Sequence, residues 1–460
     1  MTSSTRSCVC IVAVLLARPA AAQDLELKVT LVSPSAVIDS AVVTVAGGRI
    51  ASVSSGAGSA KAVAIDGVMF PGLIDLHNHM TWNVLPNWQP PHLFANRYEW
   101  QETAEYAQRL SGPYNAMMNG GAGCDMNRFG EVKSIVNGGT ATVGGLGPTA
   151  TEPERNRCIQ GLARNLDFSA DLTASKPLNH EPYRNVVFPF EISPAEEQAI
   201  RTVDPDSTDP ARVHAAVMHL AEGTDSAARR EFRLFRAHQY LRKGATIIHG
   251  VALAPDQIRE LAAGGVGFVW SPHGNFILYG KTADVLTAIA AGMTVAIGPD
   301  WSPTGSAGMI EELGFAYRYS RDTLGGAIPE ATLVQMATIN PARLARIDGQ
   351  LGSIEPGKIA DFVVMKRRGS TAYQSLLSGR AADVLLVTIG GVPVYGDRAL
   401  MRTLLPAAVL EELTVCGEPK ALHLSDDARS EQSWERVYGR LRDAMKPLGF
   451  QPAPLATCLQ

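Results

Sequence analysis

The sequence carries no basic surplus: 41 lysines and arginines stand against 45 aspartates and glutamates, a formal charge of -4. With no run of Lys or Arg to track phosphates, a nucleic-acid partner is not expected. Cysteine is scarce, six in 460 residues, and none beyond the first ten positions has a histidine or second cysteine at metal-ligand spacing. Long hydrophobic runs are also missing. The apolar stretch Cys8 to Ala17 is too short to cross a hydrocarbon core of roughly 30 Å as a helix. No internal repeat or low-complexity segment stands out. What is present is bulk: 46% hydrophobic content over 460 residues supplies a large core and exceeds one ordinary domain unless that domain is a barrel.

Arg6, the apolar stretch after it and the small residues Pro19-Ala20-Ala21-Ala22 read as a signal peptide over 1–22, with Gln23 the first mature residue. The expectation is a periplasmic or secreted protein, not membrane-held after cleavage. Cys124, Cys158, Cys416 and Cys458 then face an oxidising compartment, and pairing by proximity gives Cys124 to Cys158 and Cys416 to Cys458, one of three connectivities.

Residues 23–70 alternate short apolar segments with glycine turns, and the texture returns over 350–400 in Ile359 to Val364 and Val384 to Ile389. Two β-rich pieces flanking a long insert predict one composite β-sandwich built from both chain ends. Over 71–349 the rhythm is β/α: strand-like Val213 to Leu220, a helix capped by Asp225, strand-like Ala245 to Ile248, and so on to Thr294 to Ile297. Earlier strands are placed at Val68 to Asp75, Thr140 to Gly144, Cys158 to Ala163 and Asn185 to Phe190. This predicts an α/β chain whose main body is a (β/α)8 barrel of the TIM type, with its site at the C-terminal strand ends. Residues 401–460 are expected to form a helical tail.

Six residues follow these strands: His77, His79, His219, Glu222, His249 and Asp300. Residues two apart in a strand share a face, so His77 and His79 can grip one ion. Three neutral imidazoles and a carboxylate suit Zn²⁺, or Fe²⁺, which lowers the pKa of bound water from 15.7 to about 7. Asp300 can orient that water, Glu222 can carry a proton to the leaving group, and His249 can stabilise developing charge. The set suits hydrolysis at an sp² carbon.

The stretch Pro71-Gly72-Leu73-Ile74-Asp75-Leu76-His77-Asn78-His79, with Met218-His219-Leu220-Ala221-Glu222, Ile247-Ile248-His249-Gly250 and Ile297-Gly298-Pro299-Asp300, resembles the amidohydrolase superfamily. The pattern His219-x-x-Glu222 is similar to its branch of cytosine and methylthioadenosine/S-adenosylhomocysteine deaminases and triazine hydrolases. The resemblance implies that His77, His79, His219 and Asp300 hold one ion, with Glu222, His249 and Asp300 catalytic. It also implies a pocket role for His273, which follows strand seven. The strand Asn185 to Glu191 offers no lysine to bridge two metals; Glu191 is the substitute in a two-metal alternative.

Eight aromatics between Thr81 and Gly130, with Trp270 and Trp301, favour a planar or apolar ligand. Trp82 and Trp301 are assigned to the substrate; Arg97 and Lys281 are placed at the surface or against a substrate carboxylate, and Lys133 in solvent. The expected function is hydrolysis of a non-peptide carbon-nitrogen bond in a small cyclic or aromatic molecule. Alternatives are a heterocycle aminohydrolase and a binding protein on the same barrel. The partner is a small molecule, and self-association is left open.

Overall fold

The computed structural model of the chain describes residues 24–33, 36–146, 162–167, 183–207, 213–424 and 432–458. The signal-peptide reading, Cys158 and most of the expected third strand lie outside them.

Four strands open the chain: β1 (Leu25–Val32), β2 (Val37–Ala46), β3 (Arg49–Ser55) and β4 (Val63–Pro71). Eight short ones follow: β5 (Leu73–Asp75), β6 (Gly139–Thr142), β7 (Arg164–Asn165), β8 (Tyr183–Val186), β9 (Ala215–Leu220), β10 (Ala245–His249), β11 (Gly267–Trp270) and β12 (Val295–Ile297). The last five are β13 (Phe362–Lys366), β14 (Val384–Ile389), β15 (Val392–Asp397), β16 (Glu411–Val415) and β17 (Glu418–Leu422).

Strands from both chain ends form one mixed sheet in the order β16-β17-β15-β14-β13-β4-β1-β2-β3. The expected sandwich is therefore a single hydrogen-bonded sheet, sealed where β4 pairs antiparallel with β13. Side chains of a strand alternate between faces, and the sheet uses both. Met69, Phe362 and Val364 pack with Leu27 and Leu31 in the sheet's own core; Val68, Phe70, Val363 and Met365 join the large core around the β/α units. The buried pair Arg164 Nε to Asp361 Oδ2, 2.6 Å, fastens β7 to the approach of β13. The tail also differs from expectation. Its residues Glu411 to Leu422 are a hairpin that extends the sheet, because β17 finds an open edge on β15. Trp434–Met445 is the helix expected there, and it packs Val437, Leu441 and Met445 beside Met126 and Phe129.

The eight middle strands are parallel within each of two sheets, β5-β6-β7 and β8-β9-β10-β11-β12. Helices cross between them, giving a TIM-barrel-like α/β arrangement. Ile74, Ala141, Val217, Ile248, Val269 and Ala296, from six of the strands, share one inner cluster. The first and last strands meet through a parallel bridge between Asn78 and Asp300: the Asp300 N–H donates to His77 O at 2.9 Å, and the His79 N–H donates to Asp300 O at 3.0 Å.

Of the expected disulfides, Cys416 to Cys458 is formed.

Candidate metal centre

Strand alternation sends Val217 into the inner cluster and His219, two residues on, to the same face one step higher. There it meets side chains from the two joined strand ends. His77 Nε2 lies 3.1 Å from His219 Nε2 and 3.1 Å from Asp300 Oδ1, and His79 Nε2 lies 3.3 Å from Asp300 Oδ1. The ligand atoms of His77, His79, His219 and Asp300 all fall within 4.8 Å of one another.

Tetrahedral ligands at zinc distances of about 2.0–2.1 Å stand roughly 3.3–3.4 Å apart, so the three contacts of 3.1–3.3 Å match one ion of that size, and the wider pairs need a small side-chain adjustment to reach it. The chemistry of the donors fits as well. Burial pulls the His77 imidazole down to about 4, despite the Asp300 carboxylate that favours its charge, and burial holds His219 well below its ordinary range. Both keep a neutral lone pair at pH 7. Burial pushes the Asp300 carboxyl up, but the imidazoles of His77 and His79 outweigh it and hold that group well below the usual carboxylate range. His77 Nδ1 is 2.6 Å from Ser271 Oγ; with Nε2 turned to the cluster as a metal ligand, Nδ1 would carry the hydrogen and donate it to Ser271.

Asp300 and its neighbour in the site, His249, are held in uncommon backbone. His249 and Asp300 both adopt φ 67°, a left-handed conformation that non-glycine residues rarely take outside sites that over-determine it.

Glu222 and His249 flank the cluster, Glu222 Oε2 standing 3.5 Å from His249 Nε2. His249 Nδ1 lies 2.9 Å from Asn275 Oδ1 and donates to it. Glu222 Oε1 accepts from the Tyr279 hydroxyl at 2.6 Å. Its main chain is anchored too, since the Arg97 N–H donates to Glu222 O at 3.3 Å and the neighbouring Ala221 N–H donates to Glu231 Oε2 at 2.6 Å.

The cluster opens into a cavity of about 200 Å³ lined by His79, His219, His249, Glu222 and Asp300 with Trp82, Trp100, Tyr106, Phe188, Trp301 and Gln101. The aromatic segment after strand one therefore divides. Trp82, Trp100 and Tyr106 form a wall with Trp301, while Trp88, Phe94 and Phe129 are buried behind it.

Trp82 and Trp301, expected to meet the substrate, line this cavity, and His273 does not. Its Nδ1 bonds Ser306 Oγ at 2.9 Å and its ring stacks on Phe315 at 4.7 Å, because it lies two helical positions before Asn275 and faces away from the cluster. Arg97 is no surface residue. It is buried, pairs with Glu231 at 3.1 Å and donates to Val187 O at 2.7 Å. Lys133 is buried as well, donating to Ser302 Oγ at 2.8 Å and Asn83 O at 3.2 Å. Lys281 lines a separate cavity, and Glu191 is exposed in a turn and does not line the cavity of the centre. Sequence reasoning missed Ser271, Asn275 and Tyr279 as site residues, although their four-residue spacing was a readable signal.

Residues 209–394 match the family model described as Amidohydrolase family. The chain carries an amidohydrolase-family domain. That domain includes His219, Glu222, His249 and Asp300, while His77 and His79 precede it. A 5-methylthioadenosine/S-adenosylhomocysteine deaminase of Desulforudis audaxviator is 31% identical over 163 residues, which are 33% of this chain and 38% of the relative. The alignment thus spans little more than a third of that relative's length. Among solved structures, a zinc-bound adenosine deaminase from Xanthomonas campestris superposes with TM-score 0.56 at 18% identity, over 80% of this chain and 92% of that one. An atrazine chlorohydrolase from Arthrobacter aurescens TC1, complexed with zinc, gives TM-score 0.59 at 15% identity, over 80% and 95%. At such identities these likenesses concern the fold.

Proposed function

We propose that this chain is a metal-dependent hydrolase that cleaves a carbon-nitrogen bond in a small, planar heterocyclic molecule. The observation that carries the reading is the meeting of His77, His79, His219 and Asp300 within 4.8 Å, beside Glu222 and His249 at the mouth of an aromatic cavity. His77, His79, His219 and Asp300 would hold one zinc ion, or iron of similar preference. When bound, the ion polarises the substrate and ionises water near neutral pH.

The residues of the chain supply the rest. Asp300, kept ionised by its imidazole neighbours, accepts a hydrogen bond from the attacking water and sets its direction. Glu222 carries the proton from water to the departing nitrogen. His249, with Nδ1–H spent on Asn275, turns Nε2 toward Glu222 and the cavity; it stabilises negative charge on the substrate when Nε2 also carries a proton and can donate it in a hydrogen bond. Trp82, Trp100 and Trp301 hold a flat ring and keep bulk water out.

Release of ammonia from an amino-heterocycle is the second reading, favoured by the deaminase named above among the similar sequences. Export through a cleaved signal peptide is part of the proposal, supported by the Cys416 to Cys458 disulfide, a bond favoured in oxidising compartments. A panel of amides, lactams and amino-heterocycles given to the zinc-loaded protein tests the function. Amine and carboxylate products support amide hydrolysis, ammonia with a new ring carbonyl supports deamination, and no turnover anywhere on the panel overturns the heterocycle reading.

A further inference from the structure

The helix α1 (Pro272–Tyr279), entered through Ser271, touches the site at four-residue steps. Residues so spaced lie on one helical face. Ser271 holds His77, Asn275 holds His249 and Tyr279 holds Glu222. The third contact has a direction that can be worked out. Trp100 Nε1 lies 2.8 Å from the Tyr279 hydroxyl oxygen, and an indole N–H can only donate. The phenol oxygen therefore accepts from Trp100, and its own hydrogen goes to Glu222 Oε1, 2.6 Å away. Both Trp100 and Tyr279 are buried, so water does not offer the hydroxyl another acceptor.

Oε1 of Glu222 is thus an acceptor whether the carboxyl is charged or neutral. The other oxygen, Oε2, stands 3.5 Å from His249 Nε2, a buried atom that makes no hydrogen bond among the described residues.

We infer that Tyr279 is a positioning residue: by occupying Oε1 it reserves Oε2 of Glu222 for the proton that travels between water and leaving nitrogen. The inference rests on the reading of Glu222 as proton carrier. No group moves on Tyr279 itself; its hydrogen stays on the phenol oxygen throughout.

Three measurements test this. In neutron diffraction from the deuterium-exchanged, zinc-loaded protein, the Tyr279 deuterium is expected between its oxygen and Glu222 Oε1; a deuterium pointing elsewhere, or one on Oε1 itself, overturns the inference without any substrate. On a substrate found by the panel above, Tyr279→Phe is expected to lower kcat by about 10- to 100-fold, a misoriented general acid-base group, with KM within about threefold, and with zinc content and melting temperature close to wild type. Unchanged kcat overturns it. Glu222→Gln separates the two layers: full turnover in that variant removes the proton-carrier reading, whereas a large loss there with none in Tyr279→Phe removes only the role of Tyr279.

Discussion

The Tyr279 hydroxyl donates to Glu222 Oε1 across 2.6 Å, joining the last residue of a helix after strand β11 to a carboxylate just past strand β9. Both side chains are buried, and burial, reinforced by the adjacent carboxylate, holds the phenol well above its ordinary range. It stays a donor around neutral pH. A carboxylate in such a place needs that donor, because a buried charge left short of hydrogen bonds costs several kcal/mol (roughly).

Removing one ligand should empty the centre. His219 brings its ring to 3.1 Å from His77, and His219→Ala leaves three donors and a hole. Elemental analysis of the purified variant is expected to find about a tenth or less of the metal held by the wild type, with turnover falling by at least about 10³-fold, in line with the loss of an ionised water and its Lewis acid. A variant that retains a full equivalent of metal would show that the ion is held elsewhere.

Lys133 makes stability depend on pH in a stated direction. Burial pulls its ammonium from 10.5 down to about 7, only partly opposed by Glu311. Between those two values the unfolded chain holds a proton that the folded chain has released, so stability contributed by this site rises with pH through that window. In Lys133→Met this rise should be absent. Denaturant melts of apo-protein at pH 7 and pH 9.5 check it, by the difference between the two changes in midpoint; equal changes in variant and wild type count against the assignment.

Arg164 is expected to matter for the joint between sheet and barrel-like body. Its guanidinium reaches Asp361 through Nε at 2.6 Å and Nη2 at 3.1 Å, and both residues are buried. Asp361 also accepts from the Gly390 N–H at 2.6 Å. Arg164→Ala strands that carboxylate, at a cost of about 3–5 kcal/mol. Equilibrium urea unfolding reads the loss, and a change under about 1 kcal/mol would place the anchorage in the apolar packing instead.

His273 should be dispensable for catalysis. Its Nδ1 is engaged by Ser306 at 2.9 Å and its main-chain N–H donates to Glu312 at 3.1 Å, neither of which lines the cavity of the metal centre. His273→Ala is expected to leave KM and kcat within about twofold while lowering stability by about 1 kcal/mol for the lost hydrogen bond. A tenfold rise in KM would restore the substrate contact expected from its place after strand seven.

The metal-centre residues were legible early because each follows an apolar run whose alternation can be read without coordinates. His77 and His79 are two apart, and His219 continues the inner face marked by Val217. Other assignments failed for a common reason. Arg97 and Lys133 belong to residue types that usually lie in solvent or on a surface, and nothing local announces that a distant segment will cover them. Lys133 is buried because Asn83 and Ser302, from the ends of the first and last strands, close over it.

By itself the sequence determined the strands that carry the cluster, the spacing of the imidazoles and carboxylates along the chain, and hence the kind of ion they suit, since these depend on period and residue type over a few positions. Only tertiary structure decided that two β-rich ends join into one sheet, that Trp88 is core while Trp82 is wall, and that Ser271, Asn275 and Tyr279 orient His77, His249 and Glu222. Those outcomes hinge on contacts between segments up to several hundred residues apart, whose pairing follows from which surfaces are left to bury and which polar atoms still need a partner.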